Sequence, residues 1–215
     1  MEKIVLDNIL PEVFRQRTDL KSDVWSQTVT FQKGKTYLVE AASGTGKSTM
    51  CSYIIGYRND YTGHLTFDGR DTLKFKDTDW VEIRQRHISH LFQELRLFPE
   101  LTAWENIQIK NQLTHHATDE QIHSWFSRLG IEEKEQSRLG LMSYGQQQRV
   151  AMIRAVVQPF DFILVDEPIS HLDERNSCIM ADIMMEEANR QGAGVIVTSI
   201  GKHMTNINYD KVIKL

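Results

Sequence analysis

The stretch EAASGTGKST, from Glu40 to Thr49, constrains the fold of this chain more than any other segment. It follows the strand-like run TYLVE and precedes STMCSYIIGY, whose composition suits a helix. Glycines at 44 and 46 let successive backbone N–H groups converge on an anion, and a helix N-terminus adds a favourable dipole. A strand, a glycine-rich loop and a helix in this order predict a phosphate-binding loop on an α/β core.

The side chains of this loop predict nucleotide and metal contacts. Lys47 carries a positive charge toward the β- and γ-phosphates, and the Ser48 hydroxyl is a ligand for Mg²⁺. The pattern GxxxxGK[ST] has a glycine where this chain has Ala41, so the loop must enter with negative φ or be strained by roughly 1 kcal/mol. The alternative is a chance Gly-Lys-Ser at a helix start. The candidate nucleotide-binding residues here are Ala42, Ser43, Gly44, Thr45, Gly46, Lys47, Ser48 and Thr49.

Composition narrows the class of protein. The chain has 215 residues, a net charge of -4 and a pI near 6.1, so no overall basic field favours nucleic acid. Cys51 and Cys178 are far apart, which argues against a disulfide framework and a zinc site and favours a reducing cytosol. The N-terminus lacks the features of a signal peptide, and no apolar run approaches the ~20 residues that span a bilayer. A membrane role would therefore need a second chain.

The remaining sequence predicts how the elements alternate. IVLDNI, TVTFQ, TYLVE and GHLTFDG are typical of strands. They indicate a β-rich flank followed by a β-loop-α unit, with TYLVE running into the loop. Residues from about 95 to 155 are mainly helical in pattern, and capping boxes begin at Thr118 and Ser143. FDFILVDE and GVIVTS are typical of buried parallel strands, with a helix around 173–190 between them, and DKVIKL indicates a short edge strand. We therefore expect an α/β core with a helical insertion.

Two carboxylates end one of these buried strands. In FILVDEP, Asp166 and Glu167 precede Pro168, at the strand end where open α/β folds bind ligands. Asp166 is a candidate metal residue that orients a Mg²⁺-bound water. Glu167 is a candidate general base for the water that attacks the γ-phosphate. The alternative is that the two acids cap a following helix.

With MSYGQQQRVAMIRA between these motifs, the chain resembles the ATP-binding subunit of an ABC transporter along essentially its whole length. The segment ISHLFQELRLFPELTAWENI and the QQQR run are most similar to the lipoprotein-release, macrolide-export and cell-division group, although amino-acid importers share much of both. The resemblance implies one domain over 1–215. It would have a P-loop NTPase core, an antiparallel β flank and a helical subdomain at about 95–145.

The resemblance also implies roles for single residues. Gln93 matches a catalytic glutamine that contacts Mg²⁺ and the attacking water; the alternative is a surface loop amide. Ser143, Gly145 and Gln146 match the signature that caps the ATP of the opposite subunit, which implies a head-to-tail homodimer with two ATP molecules. Asp173 matches the loop that crosses this interface, and it is also a candidate N-cap for the next helix.

An aromatic ring that stacks on adenine is expected before the loop. Phe14 lies 33 positions ahead of Lys47 (47 − 14), where the family keeps such a ring, and Trp25 is the alternative.

Two positions depart from the family pattern. Tyr144 lies inside the signature, where its ring either turns away from ATP or obstructs closure of the dimer. Ser199 takes the place of a histidine that contacts the γ-phosphate and Glu167, and serine has no cationic form. Loss of such a contact costs on the order of 10²–10³ in rate, so hydrolysis is affected more than binding of ATP.

These features predict a cytoplasmic ATPase that uses ATP and Mg²⁺ to power a separate integral-membrane permease on the inner face of the cell membrane. The segment 95–101 is the expected face for the permease. One alternative is a nucleotide-gated regulatory subunit with little hydrolysis, for which Ser199 and Tyr144 argue. Another is a soluble ABC protein acting on DNA or ribosomes. The acidic charge and the absence of a second cassette argue against it.

Overall fold

The structure is a computed structural model that describes residues 1–17, 21–42, 44–168, 173–201 and 203–215. The strands and helices that the sequence predicts are present in the predicted order, and a short strand and a helix between residues 70 and 82 are additions to them. The strands are β1 (Lys3–Pro11), β2 (Thr28–Gln32), β3 (Thr36–Glu40), β4 (Tyr61–Phe67), β5 (Arg70–Asp71), β6 (Ile88–Leu91), β7 (Phe162–Asp166), β8 (Gly194–Ser199) and β9 (Lys211–Lys214). The α-helices are α1 (Lys47–Ile54), α2 (Asp77–Glu82), α3 (Ala103–Asn111), α4 (Asp119–Arg128), α5 (Tyr144–Val156) and α6 (Glu174–Gln191).

Two sheets divide the strands. An antiparallel sheet in the order β2-β1-β4-β5 forms the predicted β flank. A parallel sheet in the order β6-β7-β8-β3-β9 forms the α/β core, and β9 is the edge strand that DKVIKL predicts. All strands of the second sheet run in one direction, so the loops that follow β3, β6, β7 and β8 leave from the same edge.

The parallel strands are apolar along their whole length because both faces of the sheet are covered. Val165 and Leu38 pack into a cluster with α3, α4, α5 and α6. Leu164 and Val39 point to the opposite face, into a cluster with α1 and the antiparallel sheet. Each of these four side chains is at most 2% exposed. The core strands are therefore rigid supports for the loops at their ends.

The helical middle of the chain is confirmed in its main features. Thr118 and Ser143 each cap a helix through the predicted box, and Gly130 follows α4 with a positive φ of 62°. The segment from about 95 to 145 contains α3 and α4, and the limits of a separate helical subdomain stay a prediction.

Candidate functional site

The phosphate loop connects β3 to α1, as the sequence predicts. Gly44 and Gly46 have positive φ of 77° and 102°, a region that L side chains rarely adopt. Ala41 is not among the described residues with positive φ, so the loop enters without strain at that position. Lys47 is the first residue of α1. The backbone N–H groups of the first helical turn, which have no partner within the helix, therefore lie where the loop ends. Ser43 lies outside the described residues.

Two aromatic rings pack against the phosphate loop. A Cβ on Gly46 would lie 2.9 Å from both Phe14 Cε2 and Trp25 Cζ2. The Trp25 indole N–H donates to the Thr45 carbonyl at 2.9 Å, and the two rings are 6.1 Å apart. Phe14 is 8% exposed and Trp25 is 3% exposed. Both rings therefore pack against the loop itself, and stacking of Phe14 on adenine stays a prediction.

A chain of polar contacts joins the ends of three elements. Lys47 Nζ lies 3.3 Å from Glu167 Oε1 and donates to the Ala42 carbonyl at 3.2 Å. The Gln93 amide, just beyond β6, donates to Glu167 Oε2 at 3.4 Å. Glu167 itself has a positive φ of 49°, a conformation that is strained for a residue other than glycine. The predicted base therefore lies between the phosphate-loop lysine and the predicted glutamine.

Asp166 is held by hydroxyl groups from both sides. Ser48 Oγ donates to Asp166 Oδ2 at 2.9 Å, and the Thr198 hydroxyl donates to the other oxygen, Oδ1. Asp166 is 4% exposed. A serine hydroxyl beside a carboxylate offers the hard oxygen ligands that Mg²⁺ takes, so these residues fit the predicted metal.

The end of β8 completes this edge of the sheet. Thr198 lies beside Asp166 in the register, and the Glu167 backbone N–H is 3.3 Å from both the carbonyl and the hydroxyl oxygen of Thr198. Ser199 is 2% exposed, and its carbonyl accepts from the Ala41 N–H at 3.0 Å where the phosphate loop begins. The predicted catalytic serine is therefore adjacent to the loop.

The signature residues begin α5. Ser143 Oγ accepts from the Gln146 N–H at 3.3 Å, and the Gln146 side chain accepts from the Ser143 N–H at 2.9 Å. Gly145 lies in the first turn of the helix. The Tyr144 hydroxyl donates to the Gln93 carbonyl at 3.1 Å, so this ring turns toward the glutamine segment of its own subunit.

Asp173 is the N-cap of α6, as one of its two predicted roles requires. Its carboxylate accepts from the Asn176 N–H at 2.9 Å, and the backbone and side chain of Asn176 lower the pKa of this carboxyl. Residues 169–172, which precede it in the expected interface loop, lie outside the described residues.

A family model described as ABC transporter matches residues 26–170, more than half of the chain. The chain belongs to the ABC transporter family. It is an ABC-type ATPase, and the resemblance predicted from its motifs is confirmed.

Two relatives and one solved structure illustrate the similarity of this ABC cassette to known proteins. The macrolide export ATP-binding/permease protein MacB of Rhodopseudomonas palustris is 32% identical over 174 residues, which cover 80% of this chain and 26% of MacB. The lipoprotein-releasing system ATP-binding protein LolD of Zymomonas mobilis is 28% identical over 187 residues, covering 86% and 80%. The dimeric bacterial ABC transporter cassette MJ0796 superposes with a TM-score of 0.82 at 23% identity, covering 98% and 94%, and establishes the fold alone.

Sequence reasoning missed one polar residue of this ABC site. Thr198 contacts both Asp166 and the Glu167 N–H, yet a threonine in a buried strand is ordinary in sequence. Thr198 lies near the end of GVIVTS, which, like FILVDE, is predicted to be a buried parallel strand. That position was the one sequence feature that could have indicated its contact with Asp166. Among the residues that the structure describes, the helices of the cassette lack the combination of length and apolar composition that spans a bilayer.

Proposed function

We propose that this chain binds and hydrolyses ATP to power a separate membrane permease, and that it works as a head-to-tail dimer with two ATP molecules at the interface. The observation that carries the proposal is the contact of Glu167 with both Lys47 and Gln93, at 3.3 and 3.4 Å. Attachment to the inner face of the membrane through that permease is part of the same proposal. MacB and LolD, whose names describe transport, support it.

Different residues of the site bind the phosphates and the metal ion. Backbone N–H groups of the phosphate loop and the Lys47 ammonium bind the phosphates, while Ser48 and Asp166 hold Mg²⁺, with Gln93 as a further ligand. Bound there, Mg²⁺ would neutralise part of the negative charge of the phosphates.

Glu167 is the proposed base. In this structure its carboxylate is paired with Lys47. A γ-phosphate in the loop competes for the lysine, and the released carboxylate accepts the proton of the attacking water. Ser143, Gly145 and Gln146 cap the γ-phosphate of the ATP bound by the partner subunit, since they begin α5 and the N-terminus of a helix favours an anion. Asp173 extends toward the partner's phosphate loop.

The first test is Mg-ATP turnover by the purified protein beside Glu167→Gln and Ser199→His. The matched control is Glu120→Gln, the same chemical change on the exposed surface of α4. We expect turnover in the wild type and in the control, loss of turnover in Glu167→Gln, and an ATP-dependent dimer of that variant by light scattering. Unchanged turnover in Glu167→Gln would exclude Glu167 as the base.

A nucleotide-gated subunit with little hydrolysis is the second candidate, because Ser199 lacks the cationic form of histidine. It predicts no turnover in the wild type but a gain in Ser199→His. An ATP-dependent dimer of the wild type without turnover would support this second function over the first.

A further inference from the structure

A group of metal-ligand side chains that shares Asp166 with the proposed Mg²⁺ site lies between α1 and the parallel sheet. Cys51 on α1, His90 on β6 and Asp166 at the end of β7 have ligand atoms that all lie within 4.8 Å of one another. The parallel register explains the meeting. His90 lies beside Leu164, two residues before Asp166 on the same face of the sheet, and α1 packs on that face.

His90 is the unusual member of this group. Both of its ring nitrogens are buried, and neither has a hydrogen-bond partner among the described residues. The ring contacts Phe92, at 4.0 Å between centroids. A buried polar group without a hydrogen bond is destabilising, so a ligand that engaged the imidazole would recover that free energy.

The other two donors have free capacity for a ligand. Cys51 is fully buried, and neither it nor Cys178 forms a disulfide. The Asp166 oxygens each accept one hydroxyl, from Ser48 and Thr198, and each oxygen keeps a second lone pair. The three side chains therefore offer one sulfur, one nitrogen and one oxygen.

This donor set selects a class of metal. Thiolate and imidazole suit Zn²⁺ and related thiophilic ions, whereas Mg²⁺ takes oxygen ligands. Tetrahedral Zn²⁺ places such ligands about 3.4–3.7 Å apart, so contraction by about 1 Å would close the site. Burial, with smaller effects of Lys110 and Arg96, lowers the pKa of His90 to about 3, so its ring is neutral and can donate a lone pair to a metal. Burial and the nearby Asp166 carboxylate raise the pKa of the Cys51 thiol, so the thiolate forms only as a metal binds. The thiolate and the carboxylate then supply two negative charges, which match a divalent ion.

We propose that Cys51, His90 and Asp166 form a binding site for a thiophilic divalent cation of the Zn²⁺ class, between α1 and the parallel sheet. The Cys51 thiol releases its proton to solvent as the metal–sulfur bond forms. Asp166 then serves the thiophilic ion in place of Mg²⁺, so occupancy inhibits Mg-ATP turnover. That consequence rests on the proposed function; binding of the metal does not.

Binding is tested with Co²⁺ and Zn²⁺ on untagged, full-length protein without nucleotide. We expect one Co²⁺ per chain with the thiolate-to-cobalt charge-transfer absorption, displaced by Zn²⁺. Cys51→Ala should abolish the absorption. His90→Phe should weaken binding of Co²⁺ by at least about tenfold, because loss of a ligand should cost no less than loss of an outer-shell partner, which costs about 10–100-fold. Cys178→Ala is the matched control and should keep the absorption.

Folding, metal binding and ATP hydrolysis are measured separately. Circular dichroism and ATP binding establish that Cys51→Ala and His90→Phe are folded, and protection of Cys51 from alkylation by Zn²⁺ is a second measure in the wild type. The proposal is overturned if the folded wild type shows no charge-transfer absorption. It is also overturned if Cys178→Ala loses the absorption while Cys51→Ala keeps it. A protein that binds Co²⁺ but never hydrolyses ATP would retain this site while losing the proposed catalytic function.

Discussion

At the scale of single residues, Gly46 shows how a loop for phosphate is shaped by its neighbours. It combines a φ of 102° with contact to two aromatic rings. The glycine was predictable from the motif. The rings of Phe14 and Trp25 that fill the space beside it were not, because they precede it by 32 and 21 positions (46 − 14 and 46 − 25) and no local pattern joins them.

Gly46→Ala should destabilise the protein and abolish ATP binding. The left-handed backbone costs about 1–2 kcal/mol, and overpacking against the rings adds about 1–3 kcal/mol. Gly192→Ala is the control, since its φ is 60° and a Cβ there would meet no described atom within 4 Å. Urea unfolding and binding of a fluorescent ATP analogue measure both effects. Equal destabilisation of the two variants would contradict the role of the rings.

Lys110 predicts a pH dependence of stability. Burial, with a smaller effect of Arg154, lowers its pKa from 10.5 to about 7. Between these values the unfolded chain binds a proton that the folded chain does not, so the free energy of unfolding rises with pH, by up to about 1.4 kcal/mol per pH unit. The stabilisation is lost as pH falls toward 7.

Lys110→Met should remove this rise, as measured by urea unfolding at a series of pH values from neutral upward. Lys74→Met, on an exposed lysine, should leave it in place. If Lys110→Met kept the wild-type slope, another group would be responsible.

At the scale of elements, the two capping boxes are chemically matched but differ in proposed function. Thr118 and Ser143 accept from Gln121 and Gln146 N–H groups at the same distance of 3.3 Å. Both boxes were predictable, because they depend on residues three apart. The partner of the ring inside the second box was not, since Tyr144 and Gln93 are 51 positions apart.

Thr118→Ala and Ser143→Ala should each reduce stability by about 1 kcal/mol through loss of a helix N-cap. Only Ser143→Ala should also reduce ATP turnover, because α5 alone is proposed to cap the partner's ATP. Thermal unfolding and turnover assays on the same preparations separate the two effects. Equal losses of turnover would indicate that Ser143 acts through helix stability alone.

At the scale of the whole molecule, the proposed head-to-tail dimer makes each site depend on two chains. Lys47→Ala disables the phosphate loop of its own subunit, while Ser143→Arg disables the site of the partner. An equimolar mixture forms hybrid dimers in half of the cases, each with one intact site of two, so turnover should return to about a quarter of the wild-type value. Two variants that stay inactive when mixed, although light scattering detects dimers, would contradict action in trans.

The sequence by itself determined what depends on short range: the strand–loop–helix unit, both capping boxes, the buried parallel strands and the family. The tertiary structure alone decided which distant side chains meet. Glu167 lies between Lys47 and Gln93 because β3, β6 and β7 end at one edge of the sheet. Spacing along the chain argued against a zinc site, yet the register of β6 with β7 brings His90 near Cys51 and Asp166. Local hydrogen bonds and periodicity depend on neighbouring residues, whereas contacts between residues far apart in the chain depend on strand order and register.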